Sequence, residues 1–247
     1  MGLWLAMLFS CGSDPDWFGP APVIPDAVCA PSAAVPAHAG VRAVQVQLYL
    51  ARGQPAERAS AYTQWAAAWW RAHGIELVGA GRWRRTAADP ILAGDAARLP
   101  ADPDAAMTEV VGPLSQAMRR RTPPADQVDV VFLEHLARPG SPASQWFTRL
   151  AGLSLSPALL QRSPPDDPAV TLLTALGLDE PFTPTVFLDL SVLDALPQER
   201  ARFVMAHELG HALGLPHTGE HGNLMGPGFP RCAPALTAAQ HSSLRLP

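Results

Sequence analysis

The sequence predicts an α+β domain of five strands and four helices. Two observations support this: residues 41–50 alternate apolar and polar side chains over their second half, and residues 57–73 repeat bulky apolar groups at helical spacing. A third is composition, because 48% of the 247 residues are hydrophobic, which is enough for a core. We therefore expect one globular domain over residues 41–247.

The first three elements lie between residues 41 and 78. Val41 to Leu50 (VRAVQVQLYL) has the period of a strand with one wetter face. The helix predicted over residues 57–73 ends where Gly74 supplies a C-cap, and its aromatic stripe is interpreted as a core face. Ile75 to Val78 then has the composition of a second strand.

The middle of the chain adds three further strands. Residues 79–90 (GAGRWRRTAADP) are predicted as a loop, and residues 104–121 as a helix that ends in three arginines. Residues 128–136 (VDVVFLEHL) and 184–190 (PTVFLDL) have strong strand composition. Between them, residues 150–155 form a weaker strand bounded by prolines, which is typical of an edge strand.

Two helices complete the predicted domain. Pro197 and the two residues after it favour a helix start, so a helix should run from there to about Leu213. Thr237 and Gln240 have the spacing of a capping box, which predicts a last helix over residues 237–245.

The first forty residues differ from the rest. Residues 1–10 (MGLWLAMLFS) are too short for a membrane span of about 20 residues but long enough for a signal peptide. Leu8 to Gly12 resembles a bacterial lipobox with Cys11 as the lipidated residue, and residues 11–40 form a proline- and alanine-rich linker. We expect an exported bacterial protein, lipid-anchored in the cell envelope or extracellular. An ordinary export signal and a plain apolar tail are the alternatives.

Cysteine usage agrees with export. If Cys11 carries lipid, Cys29 and Cys232 remain as one pair that could form a disulfide in an oxidising compartment. Such a bridge would connect the linker to the end of the domain. Two unpaired thiols are the alternative.

The charge of the chain excludes one class of partner. A formal net charge of −4 leaves no basic stripe with interleaved aromatic residues of the kind that nucleic-acid binding requires. We therefore expect no nucleic acid as a partner and membrane contact only through the N-terminal lipid. We also expect a monomer.

The segment HELGHALGLPH, residues 207–217, has the spacing of a metal site. His207 and His211 are four residues apart, so on a helix both imidazoles project from one face and can bind one ion. The alternative is a helix whose histidines are simply hydrogen-bonded within the core.

A catalytic zinc ion usually takes three protein ligands and leaves the fourth position open, so a third ligand must come from outside this helix. His217 is the candidate, because Gly214 can adopt the positive φ that ends a helix and Pro216 cannot continue one. His221, four residues later, is the competing candidate.

Glu208 is the candidate for the chemistry. It lies about 100° around the helix from His207, which makes it a poor third ligand, but it can take a proton from a metal-activated water and pass it to a leaving amine. An amphipathic helix is predicted, with a packing side formed by Met205, Leu209, Ala212 and Leu213.

The motif H-E-x-x-H-x-x-G-x-x-H is complete in residues 207–217, and Met225 follows eight residues after His217. With these residues the chain resembles the metzincin zinc metallopeptidases, most nearly the matrixins. The order of the predicted elements resembles that family over roughly residues 41–247. The resemblance implies a mixed, mainly parallel five-stranded sheet, a long active-site helix and a small C-terminal subdomain with the third histidine, the Met-turn and the last helix.

The resemblance also implies roles for individual residues. The implied ligands of one zinc ion are His207, His211 and His217. Glu208 would be the general base, and Met225 a hydrophobic floor beneath the imidazoles. The antiparallel edge strand that pairs with extended substrate would fall at residues 150–155, and residues 226–230 would line a substrate pocket.

These residues predict a zinc metalloendopeptidase that hydrolyses peptide bonds of a peptide or protein substrate, with Glu208 as general base. The first alternative is a catalytically weak, zinc-bearing binding lipoprotein, against which the intact Glu208 argues. The second is a zinc hydrolase of a non-peptide bond, which the ligands alone do not exclude.

Overall fold

The fold is known from a computed structural model of the chain. The structure describes residues 41–51, 54–86, 127–136, 151–160, 182–220, 222–226 and 234–244. Several sequence predictions lie outside these residues: the signal peptide and lipobox with Cys11, the linker, Cys29 and Cys232, His221, and the helix over residues 104–121. Among the described residues no helix has the length and apolarity that crossing a membrane requires.

The described strands form one mixed sheet. They are β1 (Arg42–Ala51), β2 (Ile75–Val78), β3 (Trp83–Thr86), β4 (Gln127–Leu133), β5 (Gly152–Leu155) and β6 (Thr185–Asp189). Their order is β2-β1-β4-β6-β5, and β3 pairs with β1. All pairs are parallel except that of β5 with β6. The predicted mainly parallel sheet with an antiparallel edge strand is confirmed.

The sheet has six described strands rather than five, because residues 83–86 form β3 where a loop was predicted. β2 pairs with the first part of β1 and β3 with its last four residues, so the two short strands share one edge of a ten-residue strand. Between them the chain turns at Gly79 (φ 90°), where an added Cβ would lie 2.7 Å from the carbonyl oxygen of Val46. Pairing with the last four residues of β1 and the contact of Trp83 with Phe132 stabilise a strand that its arginine-rich sequence does not indicate.

The helices pack against this sheet. Their bounds are α1 (Ala56–Ala72), α2 (Pro157–Leu160), α3 (Leu190–Ala195), α4 (Gln198–Ala212) and α5 (Ala238–Ser243). α1, α4 and α5 confirm the three predicted helices in this part of the chain, whereas α2 and α3 were not predicted. α1 contacts α4, and α4 also contacts β5 and β6. α4 is therefore held between a helix and the antiparallel end of the sheet.

The second half of α4 is buried on every side. All residues from 203 to 215 are buried, including the three polar side chains His207, Glu208 and His211. The prediction of an amphipathic helix is therefore wrong, since α1, the strands β5 and β6 and the loop around Met225 together cover its faces. Polar groups placed in such surroundings need specific partners.

Candidate metal centre

Three histidines meet at the end of α4. His207 and His211 project from the helix, and His217 approaches from the loop that follows, so that one ring nitrogen of each lies within 4.8 Å of the others. The Nε2 atoms of His211 and His217 are 3.0 Å apart. Ligands about 2.0–2.1 Å from a tetrahedral ion are separated by roughly 3.3 Å. The structure thus brings together the three histidines that the sequence singled out, at separations that suit one ion.

Main-chain carbonyl groups orient two of these imidazoles. His207 Nδ1 lies 2.6 Å from the carbonyl oxygen of Leu224, and His211 Nδ1 lies 2.7 Å from that of Leu215. A carbonyl oxygen only accepts, so each Nδ1 must carry the proton and each Nε2 presents its lone pair. Such a second hydrogen bond is usual for metal-binding histidines. The sequence does not predict these two hydrogen bonds, because any residue can supply a carbonyl group.

The chain reverses direction at Gly214. This residue has φ 84°, its N–H donates to the carbonyl oxygen of His211 at 2.8 Å, and the N–H of Leu215 donates to that of Gly210 at 2.9 Å. These bonds end α4 in the manner of a left-handed C-cap. The turn expected at Gly214 is present, and it carries His217 back toward the helix.

The loop around Met225 lies directly against α4. A Cβ added at Gly210 would lie 2.6 Å from the Sδ atom of Met225, so the methionine occupies the space that this glycine leaves beside α4. The carbonyl oxygen of Met225 accepts a hydrogen bond from the N–H of Thr218 at 2.8 Å. The loop therefore contacts the helix that bears two histidines and the residue that follows the third.

A pair of amides connects this loop to the last helix. Asn223 Nδ2 donates to Gln240 Oε1 at 2.7 Å, and Gln240 Nε2 donates to Asn223 Oδ1 at 3.1 Å. Asn223 Oδ1 also accepts from the N–H of Met225, while Gln240 completes the predicted capping box with Thr237. One glutamine thus both caps α5 and holds the Met225 loop. The capping spacing was visible in the sequence, but the contact with Asn223 was not.

Glu208 faces the edge strand rather than solvent. Only 1% of the residue is exposed, and its Oε2 atom accepts a hydrogen bond from Ser154 of β5 at 2.5 Å. The carboxylate belongs to the same helix as His207 and His211 but lies on the side toward the sheet. Ser154 was not a candidate from the sequence, although a serine in an otherwise apolar buried strand is an indication of a polar partner.

Burial keeps two of the histidines neutral. Desolvation, followed by the charge of His217, lowers the pKa of His207 to about 3, and the hydrogen bond to Leu224 opposes this only in part. Desolvation and the neighbouring charges of His207 and His217 lower the pKa of His211 well below its usual value. Neutral imidazoles with free Nε2 lone pairs are the form that binds a divalent ion. The donor set therefore fits zinc.

The metal-free protein is expected to become less stable as the pH falls from about 6.5 toward 3. The folded protein keeps His207 neutral down to about pH 3, and it holds the pKa of His211 well below its usual value. The unfolded chain binds both protons at higher pH, so the free energy of unfolding decreases as pH decreases. The loss should approach about 1.4 kcal/mol per pH unit for each histidine. Urea unfolding of chelator-treated protein across this range measures it. A His207→Asn variant should show a shallower slope; an unchanged slope would contradict the assignment.

A mainly parallel sheet with an antiparallel edge strand is followed here by a helix that carries two of three clustered histidines, and the part of the chain around these histidines is similar to a metallopeptidase family. The matching family model is Matrixin (Peptidase_M10), over residues 190–239, a span that includes α3, α4, His217 and Met225. The matrixin match implies zinc as the metal.

No curated protein matches the sequence. Among solved structures, metalloproteinase-II from Bacteroides fragilis is similar to this chain, with 10% sequence identity and a TM-score of 0.41. The alignment covers 83% of this chain and 53% of that protein, so this chain spans about half of its length.

Proposed function

We propose that this chain is a zinc-dependent endopeptidase that hydrolyses peptide bonds of peptide or protein substrates. One zinc ion is held by His207, His211 and His217, and Glu208 is the general base. The observation that supports this most strongly is the convergence of three ring nitrogens within 4.8 Å beside a buried glutamate of the same helix. We also propose that the protein acts in the cell envelope or outside the cell, with only the lipobox at residues 8–12 as support.

The residues of the chain divide the chemistry between them. When bound, zinc supplies a Lewis acid that polarises the scissile carbonyl and increases the acidity of water. The carbonyl groups of Leu224 and Leu215 hold His207 and His211 in the tautomer that leaves Nε2 available. Glu208 accepts the proton of the attacking water as the new C–O bond forms. It then delivers that proton to the amine nitrogen as the C–N bond breaks.

The edge strand β5 offers a place for the substrate. It pairs with β6 on one side only within the described sheet, and it is antiparallel to the other strands. An extended peptide can add to such an edge through main-chain hydrogen bonds. Since α4 contacts β5, a peptide bound there would lie near the side of α4 that carries Glu208. Of residues 226–230, expected to line a side-chain pocket, only Gly226 belongs to the described part.

A zinc assay combined with cleavage of a mixed peptide library tests this function. We expect one zinc ion per chain, cleavage at internal bonds, loss of cleavage after chelation and recovery after zinc is added back. Retention of zinc without cleavage of any peptide would instead support a binding lipoprotein. Hydrolysis confined to esters or other non-peptide bonds would support a different zinc hydrolase, and either result would contradict the proposal.

A further inference from the structure

Two buried serines connect the edge strand to the active-site helix. Ser154 Oγ lies 2.8 Å from the carbonyl oxygen of Glu208, and Ser156 Oγ lies 2.9 Å from that of Ala212. Residues two apart on a strand project to the same face and are separated by about 6.6 Å, while residues four apart on a helix rise about 6 Å. The two spacings match, so the end of β5 and the residue that follows it lie in register with α4 through two equivalent hydroxyl groups.

Only one of the two hydroxyl groups also reaches a side chain. Ser154 Oγ is 2.5 Å from Oε2 of Glu208, which is a short hydrogen bond. The hydroxyl has one proton and two acceptors, the Oε2 atom and the carbonyl oxygen of Glu208, and the carboxylate form that a general base needs is the stronger acceptor. Ser156 is bonded to a main-chain carbonyl group instead. The two serines therefore differ in one respect: Ser154 contacts the carboxylate of Glu208, and Ser156 is bonded to a main-chain carbonyl group only.

Gly152 of β5 lies against the Glu208 side chain from another direction. A Cβ added at this position would lie 2.6 Å from Cγ and 2.7 Å from Oε1 of Glu208, distances that real Cβ atoms essentially never show. Gly152 and Ser154 are two residues apart and so share one face of β5. The glutamate side chain occupies the space that a side chain at position 152 would need.

We propose that Ser154 and Gly152 are positioning residues for Glu208. The strand that is expected to bind the substrate then also fixes the orientation of the general base, Ser154 through its hydrogen bond and Gly152 through the space it leaves. This inference rests on the proposed function, because it assigns the two residues to the same reaction. A glutamate side chain has three rotatable bonds, so contacts at both ends of its carboxylate select one rotamer and preorganise the base.

Kinetics of Ser154→Ala and Ser156→Ala provide a matched comparison. Each variant loses one hydroxyl bonded to a carbonyl oxygen of α4, but only the first loses a bond to the carboxylate. We expect Ser154→Ala to lower kcat about tenfold or more with KM within about twofold. Ser156→Ala should stay within about twofold for both parameters, and Ser154→Thr should restore most of kcat. Equal losses in the two alanine variants would show a purely structural role and overturn the proposal.

A thermal experiment on the metal-free protein tests the same contact without relying on activity. Gly152→Ala should lower the Tm by several degrees, or prevent folding, when Glu208 is present, and should change it little in a Glu208→Ala background where the colliding atoms are absent. An equal shift in both backgrounds would overturn the proposed contact. Absence of peptide cleavage by the wild-type protein would contradict the proposed function but leave this thermal result intact, so the two failures are distinguishable.

Discussion

Replacement of Glu208 by glutamine is expected to lower kcat by about 10²- to 10⁴-fold, while the zinc content stays at the wild-type level. Glutamine has the shape of glutamate, and its carbonyl oxygen can still accept the hydrogen bond from Ser154. It cannot accept the proton of the attacking water, so the base is lost and the surrounding packing is kept. Steady-state kinetics on a cleavable peptide and metal analysis of the same samples measure the two quantities.

The Tm serves as the control for this substitution, because it reports whether the packing around the three histidines is kept. Because His207 and His211 are oriented by the carbonyl groups of Leu224 and Leu215, their geometry does not depend on the charge of Glu208. The Tm of the glutamine variant should therefore lie close to that of the wild type, whereas Glu208→Ala leaves a cavity at a residue that is 1% exposed and should lower it. Full peptidase activity in either variant would show that Glu208 is not the base.

Local patterns predicted most of the elements that hold the site. The i, i+4 spacing of His207 and His211 places both on one face of α4, and the alternation of Val44, Val46 and Leu48 gives a strand with a buried side. The capping spacing of Thr237 and Gln240 located α5 to within about two residues. Each of these signals lies within a short stretch of consecutive residues, which is why the sequence alone was sufficient to predict these elements.

The contacts that complete the site are long-range and leave no such pattern. Ser154 and Glu208 are separated by 54 residues, and the bond between His207 and Leu224 involves a carbonyl group that every residue has. β3 was missed for a related reason, since its strand state comes from pairing with β1 rather than from its own arginine-rich sequence. The one usable indication was the small or polar residue at each of positions 152, 154 and 156, two of them in an otherwise apolar strand and the third directly after it.

The identity of the third ligand is the point at which sequence reasoning left two histidines open. His217→Ala is expected to reduce zinc affinity by more than the 10- to 100-fold that loss of an outer-shell partner causes, because it removes a ligand itself. His221→Ala is the matched control, since it removes an imidazole that lies four residues further along the chain. Zinc affinity of the two variants, measured by competition with a chromophoric chelator, shows which histidine is the third ligand.

The structure gives reasons to expect the larger effect at His217. The turn at Gly214 returns the chain to α4, and the bond from the N–H of Thr218 to the carbonyl oxygen of Met225 holds the residue next to His217. With Nε2 of His217 3.0 Å from that of His211, its removal leaves two nitrogen donors, one fewer than catalytic zinc sites use. If His221→Ala released zinc while His217→Ala retained it, the third ligand would be His221. The loop after Pro216 would then have to bind the metal in a different arrangement.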